Sequence, residues 1–202
     1  MKEVMINKHD TMIDTMKSII SASVDVKTSI LGDVKMLMRL QEAVGVIVDA
    51  FRNGCRVYFC GNGGSAADAQ HLAAELSGRF YLDRGALPAE ALHCNTSYLT
   101  AVANDYNFDV IYARLIQGIT NKGDVLIGFS TSGNSKNILQ AFETAKEKGV
   151  ITMAFTGASG GALKAASDFL FNVPSTDTPR IQESHIMLGH IICQLVEEKY
   201  FT

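Results

Sequence analysis

The chain has 202 residues, 47% of them hydrophobic and 19% charged, the make-up of a globular protein with room for a real core. A net charge of −3 offers no basic face to nucleic acid, and no stretch reaches the apolar length of a membrane span. Cys55, Cys60, Cys94 and Cys193 follow neither metal nor disulfide spacing and are expected to be buried small hydrophobes in a reducing compartment.

The opening residues, MKEVMINKHDTMIDTMK, lack a charged-then-apolar leader pattern, so a cytoplasmic protein is expected. One domain over 1–202 is expected, with a helical segment over 1–53 and an α/β core over 54–202. In the helical segment Met12, Met16, Ile19 and Ile20 recur at helical spacing, followed by Ile30, Val34, Leu37, Leu40, Val44, Ile47 and Val48. Met36, Met38, Ala43 and Ala50 widen the second stripe beyond what one packing face needs, which suits an oligomerisation element as well as packing on the chain's own sheet.

After Asn53-Gly54 a short strand, Arg56–Cys60, runs into Gly61-Asn62-Gly63-Gly64 and then a helical pattern from Ser65. Strand, glycine loop and helix form an arrangement in which backbone N–H groups can hold an anion. Ser65 has the chemistry of an N-cap, with Asp68 three residues on as in a capping box. No Gly-Lys-Ser/Thr follows, and the spacing is not that of a dinucleotide fingerprint. His71 and Glu75, four apart, share one helix face; read alone they are a solvated pair.

Four further apolar runs follow: Ala89–His93, Asp124–Phe129, Val150–Phe155 and Phe169–Val173. Helical segments over roughly Ser97–Gly118 and Asn134–Lys148 separate some of them. Continuous apolar strands alternating with helices predict a parallel sheet covered on both faces, with ligands at the strands' C-terminal ends. One such end carries Ser130-Thr131-Ser132-Gly133-Asn134-Ser135, four hydroxyls and a glycine before a helix. It reads as a second anion site with neutral donors and no lysine, better suited to a small sugar phosphate than to a nucleoside triphosphate with magnesium. A third loop, Thr156–Gly161, reads mainly as a flexible turn. The terminal helix is expected over Arg180–Tyr200, with Thr178 as N-cap and Pro179 at its first position. It carries Gln182, Glu183, His185 and His190; spacing puts Glu183 and His190, seven apart, on one stripe, with Gln182 further round.

Taken together, GNGGSAADAQHLAAEL, AVANDY, DVLIGFSTSGNS and TPRIQESHIMLGH resemble the phosphoheptose isomerases of the sugar isomerase (SIS) fold along the whole chain. The resemblance implies a flavodoxin-like three-layer α/β sandwich with a five-stranded parallel sheet and N-terminal helices. It implies substrate contacts from Asn62, Gly63, Gly64 and Ser65, from Asn104 and Asp105, and from Ser130, Thr131, Ser132 and Ser135 around the sugar phosphate. It further implies one Zn2+ held by His71, Glu75, Gln182 and His190, with Glu75 and His190 as the acid/base residues and Glu75 and Gln182 also touching substrate. Gln182 is thereby preferred to Glu183, against simple stripe spacing. A homotetramer, and a product feeding heptose synthesis for surface glycans such as lipopolysaccharide, are implied in the same way; no nucleic-acid or membrane partner is.

The chemistry suits these residue types. Interconverting a 2-ketose and an aldose moves a proton between C1 and C2 through an enediol, which needs a carboxylate or imidazole near each carbon and a stabilised oxyanion. The rival from another class is a non-catalytic SIS protein that binds a replication initiator; such proteins lack the residues matching Glu75 and His190. An isomerase for a shorter sugar phosphate is also compatible with every residue named.

Overall fold

The computed structural model describes residues 8–202, with side chains from Thr11 onward; the first seven residues of the helical segment expected over 1–53 lie outside the described residues. Two long helices come first, α1 (Lys8–Gly32) and α2 (Val34–Arg52). They break at Asp33, whose carboxylate accepts from the Met36 N–H at 3.0 Å and caps α2. There follow β1 (Val57–Gly61), α3 (Gly64–Ser77), β2 (Ala89–Ala91), α4 (Thr96–Asp105) and α5 (Ile111–Ile119). The chain closes with β3 (Val125–Ser130), α6 (Lys136–Glu147), β4 (Ile151–Thr156), α7 (Leu163–Ala166), β5 (Phe169–Asn172) and α8 (Thr178–Phe201).

The five strands are all parallel, in the order β2-β1-β3-β4-β5. This is the flavodoxin-like order, with its reversal between β1 and β3, so the crevice for a ligand opens at their C-terminal ends. Alternate strand residues feed two cores. Phe59, Ile127, Phe129, Met153 and Phe155 pack against α2, α3 and α8, while Tyr58, Cys60, Leu126 and Ala154 pack against α4, α5 and α6. Burial on both faces is why the strands read as unbroken apolar runs.

Several local expectations are corrected. The edge strand β2 stops at Ala91, because after the Leu92 N–H donates to Phe59 O the chain turns, Cys94 N–H reaching Ala91 O. The helical stretch 97–118 is two helices joined by a 3-10 turn (Phe108–Val110); the Asn107 side chain accepts from the Asp109 N–H and breaks the first helix so that Ile111, Tyr112 and Ile116 can face the sheet. Cys94 is exposed, whereas Cys60 and Cys193 are buried. Asp177, not Thr178, is the N-cap residue of α8, which moves Pro179 one place further in.

One glycine sets how closely the two helices that matter most approach. A Cβ at Gly189 would lie 2.3 Å from Leu72 Cδ1, so only glycine lets α8 lie against α3 at this level, one residue before His190 and one after His71. On the outside of the molecule α1 presents Met12, Ile13, Met16, Ile19, Ile20 and Val24, each at least 47% exposed. Among the described residues no helix is long and apolar enough to cross a membrane.

Candidate active site

The first loop folds differently at its helix start from what Ser65 suggested. Gly63 takes φ +56° as the N-cap residue and α3 begins at Gly64, so Ser65 lies inside the first turn and is buried. A left-handed cap position is open to glycine and strained for serine. Asp68 makes no capping box: its Oδ2 is buried without a hydrogen-bond partner, and burial lifts its pKa to about 6, with His71 pulling the other way. Asn62 and Asn137 exchange amide hydrogen bonds of 2.9 and 2.8 Å, which ties the first loop to the start of α6.

The hydroxyl loop lies at the C-terminal end of β3, beside the first loop. Ser130 is buried, and its Oγ is 2.9 Å from Ser135 Oγ; Ser132 Oγ accepts from the Asn134 N–H at 3.1 Å. Ser135 is the N-cap residue of α6, so the free N–H groups and positive dipole end of that helix point into the loop. The neighbouring Lys136 faces Asp109 at 3.9 Å, which leaves neutral donors around the loop itself.

The third loop is an organised wall, not a loose turn. Gly157 N–H donates to Thr131 O at 2.9 Å, Ala162 N–H to Asn134 Oδ1 at 2.9 Å, and Leu163 N–H to Gly133 O at 3.0 Å. Gly133 and Gly161 cross where a Cβ on either would meet backbone within 2.6 Å. Between these loops and the start of α8 is a cavity of about 300 Å³, with Thr131, Ser132, Gly157, Ser159, Thr176 and Ile181 among its walls. The sequence signal for this wall was the glycine pair itself, since both positions take positive φ.

Where α3 meets α8 stand the groups able to move protons or hold a metal. His71 Nε2 is 3.0 Å from Glu75 Oε1, and the His71 and His190 rings meet edge to face at 5.0 Å. Ligand atoms of His71, Glu75 and His190 all lie within 4.8 Å of one another. Burial holds the His190 imidazole below its usual pKa; the charge of His71 adds to this and Glu75 opposes it. Phe80 covers the other side of His190, nearly parallel at 5.6 Å. Far from being a satisfied core histidine, His190 faces two ionisable groups.

Gln182 and Glu183 part company at the start of α8. The Gln182 amide stands over Gly64, with Nε2 3.5 Å from Ser65 Oγ. Glu183 turns towards α1, accepting from Ser23 Oγ at 2.6 Å and pairing with Arg180 at 2.5 Å. Eight residues of helix separate Gln182 from His190, about 12 Å along the axis, so the Gln182 amide lies at the first loop. Asn104 and Asp105 sit exposed at the end of α4, hydrogen-bonded to each other at 3.0 Å and outside the walls of the cavity.

Residues 27–157 match the family model of the SIS domain. The chain is 49% identical over 190 residues to the phosphoheptose isomerase of Aneurinibacillus thermoaerophilus, covering 94% of this chain and 96% of that one. It is 52% identical over 189 residues to the phosphoheptose isomerase of Mycobacterium tuberculosis, covering 93% and 96%. Among solved structures, a phosphoheptose isomerase from Francisella tularensis superposes with a TM-score of 0.88 at 34% identity, covering 92% of this chain and 98% of that one. The one from Neisseria gonorrhoeae gives 0.87 at 37% identity, covering 93% and 99%.

Proposed function

This chain belongs to the phosphoheptose isomerases, a family of SIS-domain phosphosugar isomerases, and on that footing we propose how its residues interconvert D-sedoheptulose 7-phosphate and D-glycero-D-manno-heptose 7-phosphate. The observation that carries the reading is the convergence of His71, Glu75 and His190, from two helices more than a hundred residues apart in the chain.

The phosphate docks on Ser130, Thr131, Ser132 and Ser135 and on the N-terminus of α6. Asn62, Gly63, Gly64 and Ser65 shape the sugar's path, with the Gln182 amide facing its hydroxyls; Asn104 and Asp105, outside the cavity walls, would reach the sugar from the end of α4. Glu75 takes the C1 proton of the ketose while the C2 oxygen gains one, giving the enediol. The proton on the C1 oxygen then leaves, C2 is protonated, and the aldose results. His190, whose imidazole burial holds below its usual pKa, moves the oxygen-bound protons.

Two imidazoles and a carboxylate with ligand atoms within 4.8 Å fit a zinc ion, and His71, Glu75 and His190 would hold it; the Gln182 amide stands with Gly64 and Ser65 at the first loop. When bound, zinc supplies Lewis-acid polarisation of the carbonyl. We further propose that the enzyme works in the cytoplasm as a homotetramer, its product entering heptose synthesis for surface glycans; the exposed apolar stripe on α1 supports an assembly of several copies. The regulatory reading loses ground because the residues such a protein lacks are present and converge. Incubating the protein with sedoheptulose 7-phosphate tests the proposal: NMR should show the manno-heptose 7-phosphate appear, and Glu75→Gln should stop it. Unchanged substrate with the zinc-loaded wild type, or full turnover by Glu75→Gln, would refute it.

A further inference from the structure

Behind the proposed catalytic groups is a buried ion pair that neither acid/base chemistry nor phosphate binding uses. Arg84 and Glu197 pair at 2.8 Å with side chains only 3% and 1% exposed. Every hydrogen bond they make is structural. Glu197, on α8, accepts from the backbone N–H groups of Phe80 at 3.1 Å, Tyr81 at 2.7 Å and Leu82 at 2.9 Å. These bonds and the Arg84 guanidinium hold its pKa low although burial pushes the other way. Arg84 donates to the carbonyls of Glu75 at 2.9 Å and Leu76 at 2.8 Å, and to Gly78 and Gly85, both at 3.0 Å. It thus satisfies the open carbonyls at the C-terminal end of α3, beginning with that of Glu75 itself.

A buried ion pair is weak evidence for stability, because the desolvation of two charges offsets most of their attraction. Here its partners are what count. Glu197 lies seven residues after His190, on the same stripe of α8, and it anchors the residue whose ring covers His190. Arg84 grips the main chain of Glu75. The pair therefore joins the helix that carries Glu75 to the helix that carries His190, at the level just below both.

We infer that Arg84 and Glu197 are positioning residues for the isomerase: they fix the main chain of Glu75 and, through Phe80, the ring plane of His190. The inference rests on the reading above in which Glu75 and His190 carry the chemistry. Neither residue touches the sugar, so their loss acts on turnover and on the metal-binding geometry, not on docking of the phosphate.

Two variants test this. Glu197→Gln removes one charge and leaves Arg84 unpaired; Phe80→Leu keeps the ion pair and all its backbone bonds but removes the ring from His190. Folding is checked by circular dichroism and thermal melting. For each folded variant, kcat is expected to fall about tenfold or more with KM for sedoheptulose 7-phosphate within about twofold of wild type. Zinc affinity, measured by competition with a chromophoric chelator in the absence of sugar, should weaken about tenfold. If Glu197→Gln does not fold, Phe80→Leu decides alone. Wild-type kcat and zinc affinity in Phe80→Leu, or a loss confined to KM, overturns the inference. Glu75→Gln, measured alongside, separates the two levels: if it keeps turnover, the site reading fails; if it is inactive while Phe80→Leu is wild type, only the positioning role fails.

Discussion

Replacing Gly64 by alanine should raise stability and lower activity, opposite signs from a single methyl group. Gly64 does not have positive φ, so alanine meets no backbone strain there. In the first turn of α3 the change removes unfolded-state freedom and adds helix propensity, a gain of about 0.5 kcal/mol. For a protein of this size that raises Tm by ~1–2 °C. The new Cβ would stand 2.8 Å from Gln182 Nε2 and 3.0 Å from its Oε1, against 3.4 Å for an ordinary contact, so the amide must retreat by at least 0.6 Å. The far end of a glutamine swings at little cost, and stability survives. Its aim over the first loop does not. A displacement approaching 1 Å in a substrate-positioning group costs up to about a hundredfold, so kcat/KM should fall between tenfold and a hundredfold. Differential scanning calorimetry and initial rates by NMR read the two effects. A raised Tm with unchanged kcat/KM would show that Gln182 does not touch the sugar; a lowered Tm would show that the first turn is not built as described.

Acid should destabilise the fold partly through His185, which is fully buried with Nε2 3.1 Å from Thr156 O and its pKa pushed by burial to about 4, the Thr156 bond opposing. Because the folded value lies below the unfolded 6.5, stability is complete above pH 6.5 and falls as pH drops towards 4, by ~3 kcal/mol in total. Urea titrations at pH 7 and 4.5 should show a smaller acid loss in His185→Phe than in wild type; equal losses would remove His185 from the explanation. Ser132→Ala should raise KM more than it lowers kcat, since it removes phosphate binding common to ground and transition states; a fall in kcat alone would contradict the phosphate role. Micromolar zinc should raise Tm in wild type and not in His71→Ala, by ligand linkage; equal shifts in both would move the metal elsewhere.

Periodicity carries the sheet because both faces of β1, β3 and β4 are buried, leaving short unbroken apolar runs. The two loops at the C-terminal ends of β1 and β3 are legible from their glycines and hydroxyls, which mark strand-to-helix junctions. Ser65 misled because capping residues are recognised by type, while the chain used the positive φ of Gly63 two residues earlier. Spacing favoured Glu183 over Gln182, but only the packing of α1 shows that Ser23, Lys27 and Arg180 draw Glu183 away. Arg84 and Glu197 were invisible, being 113 positions apart with no local pattern to join them. His190 looked like core until α3 was laid beside α8, an approach that rests on Gly189.

The most direct test runs the isomerisation in deuterium oxide and follows C2 of the heptose 7-phosphate product by NMR. A carboxylate that carries a proton between adjacent carbons through an enediol exchanges some of it with solvent, so deuterium should appear at C2 and, on reversal, at C1 of the recovered ketose, with Glu75→Gln showing neither. Product formed at the full wild-type rate by Glu75→Gln, with the same labelling, would contradict the account.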